Sequence, residues 1–157
     1  MKDQPAAGGT LFSWPVRVYY EDTDAGGLVY HSNYIKFMER ARTEFLRSLG
    51  FELDALERDQ RLLFAVRSLS IDYRRPARLS DWLTVTLDLE SLRPASLAFV
   101  QRVLRGGELL CDGRVRVAAL SADSFRPMAI PDFMFERLAA QWPGCPLPSG
   151  SDATRGV

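Results

Sequence analysis

One short segment near the N-terminus holds most of the side chains that could do chemistry. Residues 20–34 carry three carboxylates, a glycine pair and the only histidine of the chain, in the order Tyr-Glu-Asp-Thr-Asp-Ala-Gly-Gly-Leu-Val-Tyr-His-Ser-Asn-Tyr. A carboxylate can attack an acyl carbonyl or activate water, and an imidazole can orient that carboxylate, bind water or move a proton. The segment is therefore a candidate catalytic site.

The same segment lies where a helix is predicted to begin. Helix N-termini present unpaired backbone N–H groups with a partial positive charge, which can stabilise the oxyanion of acyl transfer. Gly26 and Gly27 allow the backbone to approach a substrate closely. These features favour an acyl-transfer site, and they do not fix the substrate.

Structural interpretations exist for the same residues. Asp24 could be a turn former that binds its own backbone, and Glu21 and Asp22 could be turn residues facing solvent. His31 could make only a local bond at the helix start. A calcium loop beginning at Asp22 is rejected, because an EF-hand needs Glu at its twelfth position and Asn33 stands there.

A long amphipathic helix is predicted directly after this segment. Ser32 or Asn33 can cap its start, and Gly50 is well placed to end it. The helix would have about 16 residues and a length of roughly 24 Å. Its apolar residues recur at steps of three or four, and they are Tyr34, Met38, Ala41, Phe45 and Leu49, with Leu46 widening the stripe.

Alternating apolar residues predict five strands around this helix. The first covers Val16 to Tyr20, and the other four cover residues 63–73, 83–90, 96–105 and 108–120. Residues 53–61 suggest a helical turn and residues 132–142 a terminal helix. The predicted class is α+β, with the long helix wrapped by a curved five-stranded antiparallel sheet.

One domain, residues 14–142, accounts for this pattern, and residues 1–13 and 143–157 are expected to be disordered tails. A single helix leaves a sheet edge open, which favours dimerisation through that edge.

Charge and composition exclude several classes of protein. The chain has 157 residues, with 20 Lys and Arg against 20 Asp and Glu, so no broad charge attracts nucleic acid or an anionic membrane. Cys111 and Cys145 are too far apart to suggest a disulfide framework. No signal peptide or membrane-spanning apolar run is visible, so a cytoplasmic location is expected.

Residues 16–50 resemble the 4-hydroxybenzoyl-CoA thioesterase family of hotdog proteins. The resemblance rests on residues 21–34 and on Glu39-Arg40-Ala41-Arg42-Thr43-Glu44. It is closest to the branch associated with the bacterial Tol-Pal envelope system. It continues more loosely to about residue 132, through residues 99–102 and Arg126-Pro127.

The resemblance implies a hotdog fold and hydrolysis of an acyl-CoA thioester to a free acid and CoA. Asp24 matches the catalytic carboxylate, as nucleophile or general base, and His31 matches the histidine of the motif. The backbone N–H groups of Tyr30 and His31 become candidate oxyanion donors. The family acts as a homodimer or homotetramer and uses no metal or redox cofactor.

Substrate-binding residues follow less directly. Phosphates of CoA need cations, for which Arg126 and Arg93 are candidates, and Asn33 is either a substrate contact or a helix cap. Three alternatives stay open: a thioesterase acting on acyl carrier protein, an envelope or lipid-synthesis interaction module with weak hydrolysis, and, with less support, a CoA dehydratase.

Overall fold

Five strands and three α-helices make up residues 11–141, the part of the chain that this computed structural model describes. In chain order the elements are β1 (Phe12–Arg17), α1 (His31–Ser48), α2 (Leu53–Gln60), β2 (Leu62–Tyr73), β3 (Trp82–Arg93), β4 (Ser96–Arg105), β5 (Glu108–Ser121) and α3 (Asp132–Ala140), with a 3₁₀ turn at Tyr20–Asp22 between β1 and α1.

The strands form one sheet in the order β1-β3-β4-β5-β2. β1 runs antiparallel to β3, with Phe12 opposite Leu87. Two-residue turns join β3 to β4 and β4 to β5, which makes these neighbours antiparallel as well; Gly106 supplies the positive φ of +62° in the second turn. The predicted class, α+β with a five-stranded antiparallel sheet and one long helix, is confirmed.

The described residues divide into two compact units, and both contain parts of α1 and of β2 to β5. The first unit comprises residues 11–45, 70–88 and 100–114. Its apolar core joins the first three turns of α1 to the strands. Its members are Val16, Val18, Val29, Tyr34, Phe37, Met38, Ala41, Ala77, Leu83, Val85, Val103, Leu110 and Cys111. The predicted helical stripe is correct in this unit, and Phe37 extends it.

The second unit comprises residues 46–69, 89–99 and 115–141. Apolar side chains from the end of α1, from α2, from the strands and from α3 are buried in it, among them Leu46, Phe51, Leu56, Leu62, Leu97, Val117, Met134 and Leu138. Asp123 lies in this unit and pairs with Arg61 at 2.9 Å.

Gly50 ends α1 as predicted. Its φ of +94° lies in the left-handed region that glycine favours. The Gly50 N–H donates to the Arg47 carbonyl and the Phe51 N–H donates to the Leu46 carbonyl, both at 2.9 Å. This is the bond pattern of a Schellman cap, which satisfies carbonyls at the helix end.

Several predicted boundaries differ from the structure. β1 begins at Phe12, because Phe12 pairs with Leu87 and its ring lies edge-on to Phe45 at 5.7 Å. Tyr20 is not in a strand; it opens the 3₁₀ turn and is 82% exposed. α3 begins at Asp132 as expected, while Trp142, predicted as its last residue, lies outside the described residues.

The predicted caps of α1 are also wrong. The helix begins at His31 rather than after Ser32 or Asn33, and it has 18 residues. Asn33 is instead inside the first turn, where its side-chain amide serves a different bond, to the Asp22 carbonyl. None of the described helices is long and apolar enough to cross a membrane.

Candidate functional site

The loop that carries Asp24 is fixed to a neighbouring segment of the first unit. Val29 donates its N–H to the Ala77 carbonyl at 2.9 Å, and an isolated bridge joins Leu28 to Arg78. Within the loop, Gly27 adopts a φ of +81° and donates its N–H to the Asp24 carbonyl at 3.0 Å. The loop therefore holds Asp24 at a defined place before α1.

The Asp24 carboxylate combines a structural and an available oxygen. Its Oδ1 accepts the N–H groups of Gly26 at 2.9 Å and Leu28 at 3.3 Å. Its Oδ2 accepts no hydrogen bond from any residue that the structure describes, and the residue is exposed. The turn-forming role and a chemical role are thus compatible, because each uses a different oxygen.

Asp22 is structural and not a solvent-facing turn residue. It is only 8% exposed, and its Oδ2 accepts the Tyr19 N–H at 2.9 Å. Its carbonyl accepts the Tyr30 N–H at 3.0 Å and the Asn33 side-chain amide at 2.8 Å. Asp22 thereby connects the loop to the first turn of α1. Asn33 was predicted as a substrate contact or a cap, but its side-chain amide donates to the Asp22 carbonyl instead.

The free backbone donors at the start of α1 are not quite those predicted. The Tyr30 N–H donates to the Asp22 carbonyl, so the prediction that this N–H serves as an oxyanion donor is wrong. The N–H groups of His31 and Ser32 find no acceptor among residues 11–141. They carry the partial positive charge of the helix start. The Ser32 N–H was not predicted as a donor, because the helix was expected to start later.

His31 is exposed between two aromatic rings. The Tyr30 ring lies 4.3 Å from the imidazole, and the Tyr73 ring meets it edge-on at 6.3 Å. The Tyr73 hydroxyl donates to the His31 carbonyl at 2.9 Å. Within the described residues of one chain, the imidazole makes no hydrogen bond or ion pair with Asp24. No pattern in the sequence indicated a role for Tyr73, which lies 42 positions from His31.

Tyr34 supports the site from inside the core. Its hydroxyl accepts the Ala77 N–H at 2.9 Å, next to the carbonyl that binds Val29. Burial raises the pKa of Tyr34 above its ordinary value, so the phenol stays neutral near pH 7. Tyr34 is therefore a structural hydroxyl, as its place on the apolar stripe predicted.

Cys111 offers no alternative nucleophile. The thiol is buried and free, and burial, helped by the nearby Asp112 charge, raises the pKa of Cys111 to about 12. A thiol is nucleophilic as the thiolate, and almost none forms at neutral pH. Cys111 is a small residue of the apolar core, while Cys145 lies outside the described residues.

The two predicted phosphate-binding arginines lie in the second unit. Arg126 is exposed, and its backbone N–H donates to the Ser124 hydroxyl at 3.3 Å. Arg93 is exposed at the end of β3 and lines a cavity with two other arginines. In the described part of the chain, no group of three or more His, Cys, Asp or Glu side chains is arranged to hold a metal ion.

Comparisons with known proteins identify a family for this chain. Residues 18–138 match the family model described as the thioesterase-like superfamily. The chain is 47% identical over 120 residues to the acyl-CoA thioesterase YbgC of Haemophilus influenzae, a match covering 76% of this chain and 88% of that protein. It is 47% identical over 123 residues to the acyl-CoA thioester hydrolase YbgC of Escherichia coli O6:H1, covering 78% and 91%.

A solved structure extends the likeness to three dimensions. The probable thioesterase from Bartonella henselae is 34% identical and superposes with a TM-score of 0.73, covering 76% of this chain and 98% of that one. The predicted hotdog fold is thereby confirmed.

Proposed function

The chain belongs to the thioesterase-like superfamily, and we propose from this membership and from the site that it hydrolyses an acyl-CoA thioester to a free acid and CoA. One observation carries the proposal. A single loop–helix segment presents an Asp24 carboxylate oxygen and the N–H groups of His31 and Ser32, none of which has a hydrogen-bond partner among residues 11–141. These are the two parts that acyl transfer needs.

The chemistry follows from those parts. The N–H groups of His31 and Ser32 stabilise negative charge on the thioester oxygen as the carbonyl carbon becomes tetrahedral. Asp24 either attacks that carbon, forming an anhydride that water then opens, or takes a proton from an attacking water. In both cases the carbon–sulfur bond breaks and CoA leaves. His31 orients these groups or relays a proton to the departing sulfur.

The direct test is CoA release from a panel of short, medium, long and aromatic acyl-CoAs. Turnover of one acyl class that disappears in an Asp24→Asn protein would establish the activity and name the class. Weak and equal turnover by both proteins would contradict the proposal. The panel would then be repeated with the same acyl groups on acyl carrier protein, the alternative carrier.

A finer placement is part of the proposal. We assign the chain to the 4-hydroxybenzoyl-CoA thioesterase family and to its Tol-Pal-associated branch; the support is the motif in residues 21–34. A cytoplasmic location is part of the same proposal. The rival is an interaction module with vestigial hydrolysis. Full rescue of a deletion strain by Asp24→Asn protein would favour that rival.

We further propose a homodimer or homotetramer built on the β2 edge of the sheet. Among residues 11–141, β2 pairs on one side only; it is 12 residues long and leaves Val66 53% and Leu69 37% exposed. An apolar edge with unpaired backbone groups favours pairing with a second copy.

Val66→Lys is expected to shift light-scattering mass toward a single chain, because the charge would be buried in that contact. Leu53→Lys, at an exposed position of α2, should leave the mass unchanged. A wild-type protein that runs as a monomer at micromolar concentration would contradict the assembly.

We expect His31→Gln to lower kcat by roughly 10- to 100-fold, at the lower end of acid–base effects. Glutamine keeps a polar side chain of similar size, but it cannot carry a proton between groups. His31 is exposed, so the thermal midpoint should change little. Steady-state kinetics with the preferred acyl-CoA measure this change. Retention of wild-type kcat would show that the His31 side chain has no role in catalysis and that only its backbone N–H takes part.

A further inference from the structure

A cavity of about 370 Å³ in the second unit is lined by an unusual set of side chains. Its lining residues are Arg67, Ser68, Arg93, Ser96 and Arg116. The arginines come from three strands, β2, β3 and β5, and β4 contributes Ser96. The volume is at the lower end of the range for small-molecule sites. The pocket thus combines three cations with two hydroxyls and no carboxylate.

Among residues 11–141 these three arginines have no counter-charge, unlike two arginines of α2 and its C-terminal end in the same unit. Arg61 pairs with Asp123 at 2.9 Å, and Arg58 pairs with Asp59 at 3.1 Å. None of the pocket arginines has an ion pair within 4.0 Å among the described residues. Like charges around one cavity repel each other, and an anion bound between them removes that repulsion.

The donor chemistry selects among anions. A guanidinium offers a planar fork of N–H groups that matches phosphate oxygens two at a time, and serine hydroxyls add single donors. Three cations exceed what one carboxylate would neutralise, whereas a phosphate near pH 7 carries more than one negative charge. The balanced charge of the whole chain shows that this is a local feature rather than part of a broad basic surface.

We propose that the Arg67–Arg93–Arg116 pocket is a binding site for a phosphate group. The phosphate has two possible sources, a phosphate of the CoA part of the substrate or free inorganic phosphate, and the CoA source rests on the proposed function. The sequence indicated Arg93 as a candidate phosphate-binding residue. The structure places Arg67 and Arg116 around the same cavity.

The binding test uses titration calorimetry on the full-length protein with CoA, pantetheine and inorganic phosphate. CoA or phosphate should bind to the wild type. If CoA supplies the phosphate, pantetheine, which carries none, should bind at least tenfold more weakly than CoA. Arg67→Gln and Arg116→Gln should each weaken the binding of the phosphate compound about tenfold or more. Arg58→Gln makes the same change of charge outside the pocket and should have no effect.

The thermal midpoints of the two pocket variants are expected to stay near the wild-type value, because both residues are exposed. This measurement shows whether weaker binding results from unfolding. Pocket variants that bind CoA and phosphate as tightly as the wild type would overturn the proposal. So would a wild type that binds neither compound.

Kinetics separate the two sources. If CoA supplies the phosphate, Arg67→Gln and Arg116→Gln should raise KM for acyl-CoA about tenfold and leave KM for the acyl-pantetheine thioester unchanged. If phosphate binding is lost in the variants while KM for acyl-CoA is unaltered, the pocket takes free phosphate. If the wild type hydrolyses no thioester but still binds phosphate through these arginines, the proposed function fails and the pocket stands.

Discussion

An Asp24→Asn protein is expected to lose at least ~100-fold in kcat for its preferred acyl-CoA, the scale of effect for removing a general base. The geometry makes this substitution a clean one. Asparagine keeps the Oδ1 acceptor, so the bonds from Gly26 at 2.9 Å and Leu28 at 3.3 Å can persist. The loop should keep its conformation, and the change falls on the second oxygen, which becomes an amide nitrogen with no basic lone pair.

Asp59→Asn is the matched control for that experiment. Asp59 is exposed on α2 and pairs with Arg58 at 3.1 Å, an arrangement that contributes about 0–1 kcal/mol to stability. It makes the same chemical change away from the loop, and kcat should stay within twofold of wild type. An Asp24→Asn protein with full activity, measured as CoA release beside this control, would remove Asp24 from the mechanism and leave the helix start as the only candidate.

Local sequence patterns predicted most of the helices and strands. They fail where hydrogen bonds outside the helices and strands set the end of an element. β4 begins and ends at the predicted residues, because the turns at both of its ends are two residues long and leave little freedom. Gly50 predicted the end of α1 correctly, because glycine readily adopts the positive φ found there. The end of β1 is different: Asp22 accepts the Tyr19 N–H and turns the chain into a 3₁₀ turn, a bond that no periodicity records.

The site shows the same division between local and distant causes. Asp24 and His31 could be proposed from the sequence, because a motif in contiguous residues carries them, and their catalytic roles stay predictions. The role of Asp22 was missed, since its burial depends on bonds to both Tyr30 and Asn33 across the loop. Tyr73 was missed because it reaches the His31 carbonyl from another strand. Placement of free N–H groups also needs the first helical residue, which a sequence gives only to within a few positions.

Phe37→Ala is expected to cost about 3–5 kcal/mol of folding free energy, the range for removing a buried aromatic ring. Phe37 is 0% exposed on the stripe of α1 that also includes Tyr34, whose ring meets it edge-on at 6.2 Å. Domains of ordinary size have about 5–15 kcal/mol in total, so the variant should unfold at much lower urea concentration. Circular dichroism during a urea titration measures the shift.

Phe133→Ala provides the comparison that isolates burial. Phe133 is 51% exposed on α3, and its ring contacts Phe51 at 6.0 Å. The same deletion of a ring there should cost under about 1 kcal/mol, because most of the lost surface already faces water. Equal urea midpoints for the two variants would show that α1 does not depend on its apolar stripe. A much lower midpoint for Phe37→Ala would show that core packing fixes the helix whose first turn presents the His31 and Ser32 N–H groups.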